Sequence, residues 1–456
     1  MSEQFKEQGG AATMDPSPLR RWLNAKTLTW WSSVGRVNKQ RSKIEHQRIK
    51  DGHPHVVEYF HQLDDGYSHL AAQVLPALAK RYNVQLDCHL VTGPSGKNVA
   101  EPELLKQLSR YDAFHVAAEY GLQFPEHQPE LDQNLVALAT SILAALDSAG
   151  FIEHATEVGL ALWANDKSSL ESMEQKLGSV SPEQAEHKVT AGTNRRHELR
   201  HYSGAMFYYA GEWFWGVDRL YHLEKRLAEL GADNQATSNT LIPRPALKTS
   251  RVKDDGSLTL EVYVSLRSPY SAIVFDRAVK LAKDTGVTLV VRPVLPMVMR
   301  GVPATMQKGQ YIFMDAGREA RAEGVPYGKI YDPIGEPVRR CYSLYPWACK
   351  QGKGSELISS FLSMAFAQGV NTNNNRGFKK VVENAGLDWS KARTIVGQSD
   401  WQSLLEENRL AMYEAGLWGV PSFRLLDKNG EQLLALWGQD RLWLFAREIQ
   451  RRLAAR

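Results

Sequence analysis

Two serines, Ser268 and Ser271, stand on either side of Pro269-Tyr270 in the stretch Glu261-Val262-Tyr263-Val264-Ser265-Leu266-Arg267-Ser268-Pro269-Tyr270-Ser271. The β-branched and apolar run before them reads as a buried strand, and the apolar spacing after them reads as a helix. Ser268 then falls at the N-cap and Pro269 at the first helical position, where a missing N–H costs nothing. Open backbone N–H groups and the positive end of the helix dipole gather there, so the Ser268 hydroxyl lies where an anion such as a thiolate is stabilised. A serine at such a position also serves as a plain cap, and both readings stand on this stretch alone.

The elements that must position this serine follow in order. Leu258 to Val264 is the first strand and Pro269 to Asp284 the helix, with Ile273, Val274, Ala278, Leu281 and Ala282 recurring at helical spacing. Val287 to Val291 is a second strand, and a long helical stretch comes next. Trp418-Gly419-Val420-Pro421-Ser422-Phe423 leads into a hairpin turning at Asp427-Lys428-Asn429-Gly430, and Trp437-Gly438-Gln439-Asp440-Arg441 opens a last helix. The order is β-α-β, helical insertion, β-β-α.

That order, with Ser-Pro at the helix start, Gly-Val-Pro before the hairpin and Gly-Gln-Asp-Arg after it, resembles a thioredoxin-like domain of the DsbA type. It is closest to the kappa-class glutathione transferases and 2-hydroxychromene-2-carboxylate isomerases. The resemblance covers roughly residues 256 to 455 and implies a thioredoxin-like domain with a helical insertion; together with the internal repeat in the first half, the fold class is α/β, two tandem thioredoxin-like domains, each with a helical insertion. It implies glutathione as co-substrate, with Ser268 catalytic and in contact with the thiol. Val420 and a cis Pro421 would pair with the ligand backbone, Asp440 beside Gln439 would hold the γ-glutamyl end, and Lys308, in Lys308-Gly309-Gln310-Tyr311, would be a further contact. Lys308 as a solvated lysine and Asp440 as a first-turn aspartate complementing the helix dipole remain open. The family's Gly-Asn-x-Pro-Pro segment is replaced by the shorter Arg300-Gly301-Val302-Pro303-Ala304. The activity implied is transfer or isomerisation by addition of a thiolate to a small electrophilic substrate. Serine forms no mixed disulfide, which disfavours a DsbA-type disulfide oxidoreductase. A non-catalytic thioredoxin-like adaptor is the alternative.

Composition is that of an ordinary soluble protein: 456 residues, 43% hydrophobic and 23% charged, with a formal charge of +4. So slight a charge gives no reason to expect nucleic acid as the main partner. Cys88, Cys341 and Cys349 form neither a Cys-x-x-Cys pair nor a zinc set, which predicts a reducing, cytoplasmic setting, no metal, and buried apolar roles for Cys341 and Cys349. No continuous apolar segment predicts secretion or a transmembrane span.

The first half repeats the second. Glu58 to Ser68 lies beside Glu261 to Ser271 at a constant offset of 203, and Trp215-Gly216-Val217-Asp218-Arg219-Leu220 matches Trp437-Gly438-Gln439-Asp440-Arg441-Leu442. Such self-similarity reads as duplication. The chain then divides into a basic arm (1–50), a degenerate repeat (51–231), a linker (232–257) and the domain carrying the site (258–456). Asp65 and Gly66 replace Ser268 and Pro269. His201 to Met206 lies where Trp418 to Phe423 does, so the cis proline is gone. A carboxylate caps well but repels a thiolate. One glutathione site per chain follows; a separate first-half site would draw on Asp218, His197 and His201. The halves are expected to pack as an intramolecular pseudo-dimer, with the chain a monomer or homodimer and residues 1 to 50 wrapped on the first repeat. Trp22, Trp30 and Trp31 in that arm are expected to pack on the adjacent domain, although a basic, Trp-bearing stretch also suits a membrane surface or nucleic acid.

Overall fold

The computed structural model describes residues 15–126, 130–235, 239–249, 252–302 and 304–455. The Ser/Gly/Ala-rich start, parts of the linker and Pro303 lie outside the described residues. The chain forms two compact units, residues 37–245, and residues 246 onward together with the arm up to Arg36.

In the first unit β1 (Val56–His61), β2 (Gln85–Leu90), β3 (Met206–Tyr209) and β4 (Glu212–Trp215) form one sheet in the order β2-β1-β3-β4. In the second, β5 (Thr259–Val264), β6 (Thr288–Pro293), β7 (Ser422–Leu426) and β8 (Gln432–Trp437) form another in the order β6-β5-β7-β8. Both sheets pair their first two strands in parallel and the rest antiparallel. Val56 faces Gln85 and Thr259 faces Thr288, so the offset of 203 read from the sequence is also the offset between the two registers. A slip of one residue would turn each strand inside out, and the buried runs Val57–His61 and Leu260–Val264 prevent it.

The helices after β1 and β5 differ. Pro269–Thr285 is continuous and stops at Gly286 in the left-handed region, whereas the first half breaks into Gly66–Ala72 and Leu75–Arg81 around Pro76, whose ring cannot continue the ladder. Helical insertions follow, from Pro102 to Glu198 and from Met306 to Glu414. Each unit closes with a helix, Gly216–Glu229 or Leu442–Ala454.

The arm divides. The helix Pro18–Trp31 belongs to the second unit, not wrapped on the first repeat as the sequence suggests. Arg21, 1% exposed, donates to the Ile334 carbonyl at 2.8 Å, and the Ile330 N–H donates to Thr29 Oγ1 at 3.1 Å. Ala25 and Leu28 are the buried apolar residues of this helix, while Trp22 and Trp30 stay 51% and 57% exposed and Trp31 is half-buried, so Trp22 and Trp30 do not supply the packing. The following helix, Val34–Asp51, meets the first unit from Val37 on, where Arg41 makes a bidentate pair with Glu212 at 2.7 and 2.8 Å. Part of the linker is also docked. The buried Glu224 carboxylate accepts from the N–H groups of Leu241 and Ile242 at 2.6 and 3.0 Å, a tether that carries no apolar periodicity. No described helix is long and apolar enough to cross a membrane.

Candidate functional site

β5 ends at Val264, and the chain turns through Ser265-Leu266-Arg267 into the helix Pro269–Thr285. The turn is held from below. Leu266 N–H donates to Tyr342 Oη at 3.1 Å, and that hydroxyl donates in turn to the Val294 carbonyl at 2.8 Å. Ser265 N–H donates to Ser271 Oγ at 3.3 Å, so the second serine is a structural acceptor. Arg267 makes a bidentate pair with Asp332 at 2.8 and 2.9 Å; burial works against its charge, but Asp332 more than offsets this and raises it above the usual arginine range.

Ser268 Oγ accepts from Ser271 N–H at 3.1 Å and donates to the Val420 carbonyl at 3.4 Å. The cap predicted from the sequence is therefore present, and it uses donors that would otherwise face an anion. Pro269 has no N–H, Ser271 N–H goes to Ser268 Oγ, and Ala272 N–H goes to the Ser268 carbonyl. The hydroxyl proton is the more available group, because 3.4 Å is a long and weak hydrogen bond that a charged acceptor would outcompete.

The Val420-Pro421 peptide is cis, as the resemblance implies. Among the described residues nothing accepts from the Val420 N–H. Gly438 N–H donates to the Pro421 carbonyl at 2.9 Å and ties the Gly438–Arg441 turn to this loop. Gly438 adopts φ 120°, and a Cβ there would fall 2.5 Å from Asp440 Oδ1, so glycine is needed for the aspartate to fold back. The Asp440 carboxylate lies 3.7 Å from the guanidinium of Arg441. Gln439 is buried and its amide donates to the Glu319 carboxylate at 2.8 Å, which makes it an anchor of the turn.

Lys308 lies in the first turn of the helix Met306–Ala322, which packs on the Ser268 helix through Ile273, Ala316 and Ala320 and through the Tyr270 hydroxyl donating to Asp315 at 2.8 Å. Burial lowers the Lys308 ammonium below the usual lysine range. The structure thus brings Ser268, Val420, Pro421 and the Asp440 turn together. Sequence reasoning missed Arg267, Tyr342 and Glu319, which hold them. The offset of 203 carried into the insertion would have flagged one such support, because Tyr67 donates to Asp112 at 2.7 Å as Tyr270 does to Asp315.

Residues 259–450 match the family model of the DSBA-like thioredoxin domain. The second half is a DSBA-like thioredoxin domain. Strand order, directions and register give the first half a similar fold. The chain is similar to the solved structure of a 2-hydroxychromene-2-carboxylate isomerase, at 20% identity and a TM-score of 0.36, over 42% of this chain and 95% of that one. It is likewise similar to the cytosolic disulfide reductase DsbM from Pseudomonas aeruginosa, at 16% identity and a TM-score of 0.33, over 43% and 99%. No curated protein sequence matches it.

No cysteine occupies the Ser268 turn of the DSBA-like domain. Cys341 is buried, as predicted, while Cys349 is exposed, because it stands one residue before the end of the helix Glu336–Lys350. Burial pushes the Cys88 thiol up to about 12. Among the described residues no group of three His, Cys, Asp or Glu side chains could hold a metal ion.

The same positions in the first half carry different chemistry. Asp65 caps by accepting from Ser68 N–H at 2.9 Å and Ser68 Oγ at 2.8 Å, and burial pushes its carboxyl up to about 6 against those bonds. Met206 faces Phe60 as Ser422 faces Tyr263, and Gly216 N–H donates to the Ala205 carbonyl at 2.7 Å. Ala205 therefore stands in the place of Pro421, one residue away from the sequence alignment, which the shorter first hairpin had shifted. Asp218 accepts from the Tyr120 hydroxyl at 2.9 Å. His197 is exposed, but His201 is buried between Tyr202 and Trp213, with ring centroids 4.9 and 4.6 Å away, and so is a packed ring instead of an open polar group.

Proposed function

We propose that the DSBA-like domain binds glutathione as co-substrate, with its sulfur at Ser268, and adds it to a small electrophilic substrate in a transfer or isomerisation. The observation that carries this reading is the Ser268 hydroxyl at a helix N-terminus, 3.4 Å from the carbonyl of Val420 in the cis-proline loop. Glutathione supplies the nucleophilic sulfur. Ser268 turns its hydroxyl proton from Val420 to that sulfur, and the helix dipole favours the charged form. Val420 N–H pairs with the ligand backbone as a neighbouring strand would. Asp440 answers an α-ammonium group, and Lys308 a carboxylate. Serine at this position excludes the mixed disulfide that dithiol exchange requires.

Isothermal titration of glutathione into the full chain tests the reading. Saturable heat that disappears in Ser268→Asp supports it. An absence of heat under reducing conditions would favour the adaptor alternative.

A further inference from the structure

The helix Pro18–Trp31 has a buried face and, opposite it, an exposed apolar one. Arg21, Ala25, Leu28 and the capping Ser32 are buried against the DSBA-like domain. Leu19, Trp22, Leu23 and Trp30 are 67%, 51%, 49% and 57% exposed. At 3.6 residues per turn these four, with Lys26, fall within about 100° of helix surface, on the side away from the buried set. The buried face already seats the helix, so packing gives no reason for an outer stripe of two leucines and two tryptophans, and such a patch marks an interaction surface.

Charge selects the occupant. Between Pro16 and Ile44 the sequence has seven Lys and Arg and not one Asp or Glu. Arg20 and Lys26 are exposed beside the stripe, Lys26 Nζ lies 5.7 Å from the Trp22 ring, and the Arg36 guanidinium lies 4.6 Å from the Trp30 ring. Cations flanking an aliphatic centre with tryptophans fit the boundary between headgroups and acyl chains. A nucleic acid would be met mainly through phosphate contacts and would gain little from Leu19 and Leu23. With 14 residues the helix is too short to cross a bilayer and long enough to lie on one.

We propose that the outer face of Pro18–Trp31 docks on the surface of an anionic phospholipid bilayer, with Leu19, Trp22, Leu23 and Trp30 at the acyl boundary and Arg20 and Lys26 on lipid phosphates. The test is flotation of the full chain with vesicles of phosphatidylcholine alone or mixed with phosphatidylglycerol, with hydrogen exchange measured over residues 16–36. Binding is expected to the mixed vesicles, weakening as salt rises, with protection of the helix. Leu19→Ser with Leu23→Ser should abolish it. Arg20→Glu and Lys26→Glu should each weaken it about fivefold or more. These side chains face away from the domain, so the variants keep the fold.

No flotation with the mixed vesicles, or flotation that all four substitutions leave intact, overturns the proposal. Loss on charge reversal with full binding by the two serine variants would mark a polyanion surface and overturn it as well. So would full protection of the helix in the absence of vesicles, which would show the face covered by the chain's own first residues or by a second copy.

Discussion

A serine hydroxyl has one proton to give, and at Ser268 that proton rests on a carbonyl 3.4 Å away. A hydrogen bond to a charged acceptor is worth about 1.5 to 3 kcal/mol, so Ser268→Ala is expected to raise the thiol pKa of bound glutathione by about one to two units. Ultraviolet absorbance of the thiolate reads this directly, and an unchanged spectrum would remove Ser268 from the mechanism. Loss of the cap also costs about 1 kcal/mol of stability. Ser268→Asp separates the two effects, since it keeps the cap, as Asp65 does in the first half, and places a negative charge where the sulfur should sit. Asp440→Ala should weaken glutathione more than it weakens cysteinylglycine, which lacks the γ-glutamyl group. Equal weakening of both ligands, measured by titration calorimetry, would assign Asp440 to the turn alone.

The two sheets show which elements were legible in the sequence. Strands β1, β5 and β6 were readable from their β-branched, apolar residues, whereas β2, Gln85–Leu90, carries no such run and was reached only through the offset of 203, which transferred directly into register. The cis peptide and the Gly438 turn followed from short motifs. The supports did not, because Tyr342, Glu319 and Asp332 reach the site from helices and loops distant in sequence, and a single buried carboxylate or hydroxyl leaves no periodic signal. The break of the first-half helix at Pro76 was visible as a residue but was masked by the apolar pattern that continues through it. The Tyr-to-Asp tether between each first helix and its insertion is common to both halves, and removing its donor leaves a buried carboxylate short of a bond. Tyr67→Phe and Tyr270→Phe are each expected to cost about 1 to 3 kcal/mol in urea unfolding.

At the scale of the whole molecule, duplication leaves two copies of one fold with different responses to acid and to ligand. His61 and His69 are buried in the first half, and burial lowers them to about 3 and about 4. The second half has Val264 and Ala272 at those positions. Unfolded histidine titrates at about 6.5, so both rings are neutral when folded and gain a proton on unfolding; their stability is full above about pH 6.5 and is lost as pH falls toward 4. Asp65 acts in the opposite sense, because burial raises it to about 6, but it is one group against two. Urea unfolding followed by proteolysis and mass spectrometry should show the first half weakening between about pH 7 and about pH 5 while the second changes little, and His69→Gln should blunt the difference. Ligand stoichiometry follows from the same divergence. Tyr67 and Tyr270 each bond an aspartate seven residues beyond Leu105 and Lys308, so Leu105 holds the lysine's place in the first half. Asp65 replaces Ser268 and is mostly ionised at neutral pH, Ala205 replaces Pro421, and the one retained acid, Asp218, already accepts a hydrogen bond from Tyr120. Each change removes a different part of the recognition: the thiolate donor, the backbone pairing and the cation. One equivalent of glutathione per chain is expected by calorimetry, unchanged in Asp65→Ser and lost in Ser268→Asp; two equivalents, or one that survives Ser268→Asp, would place the binding site in the first half or elsewhere.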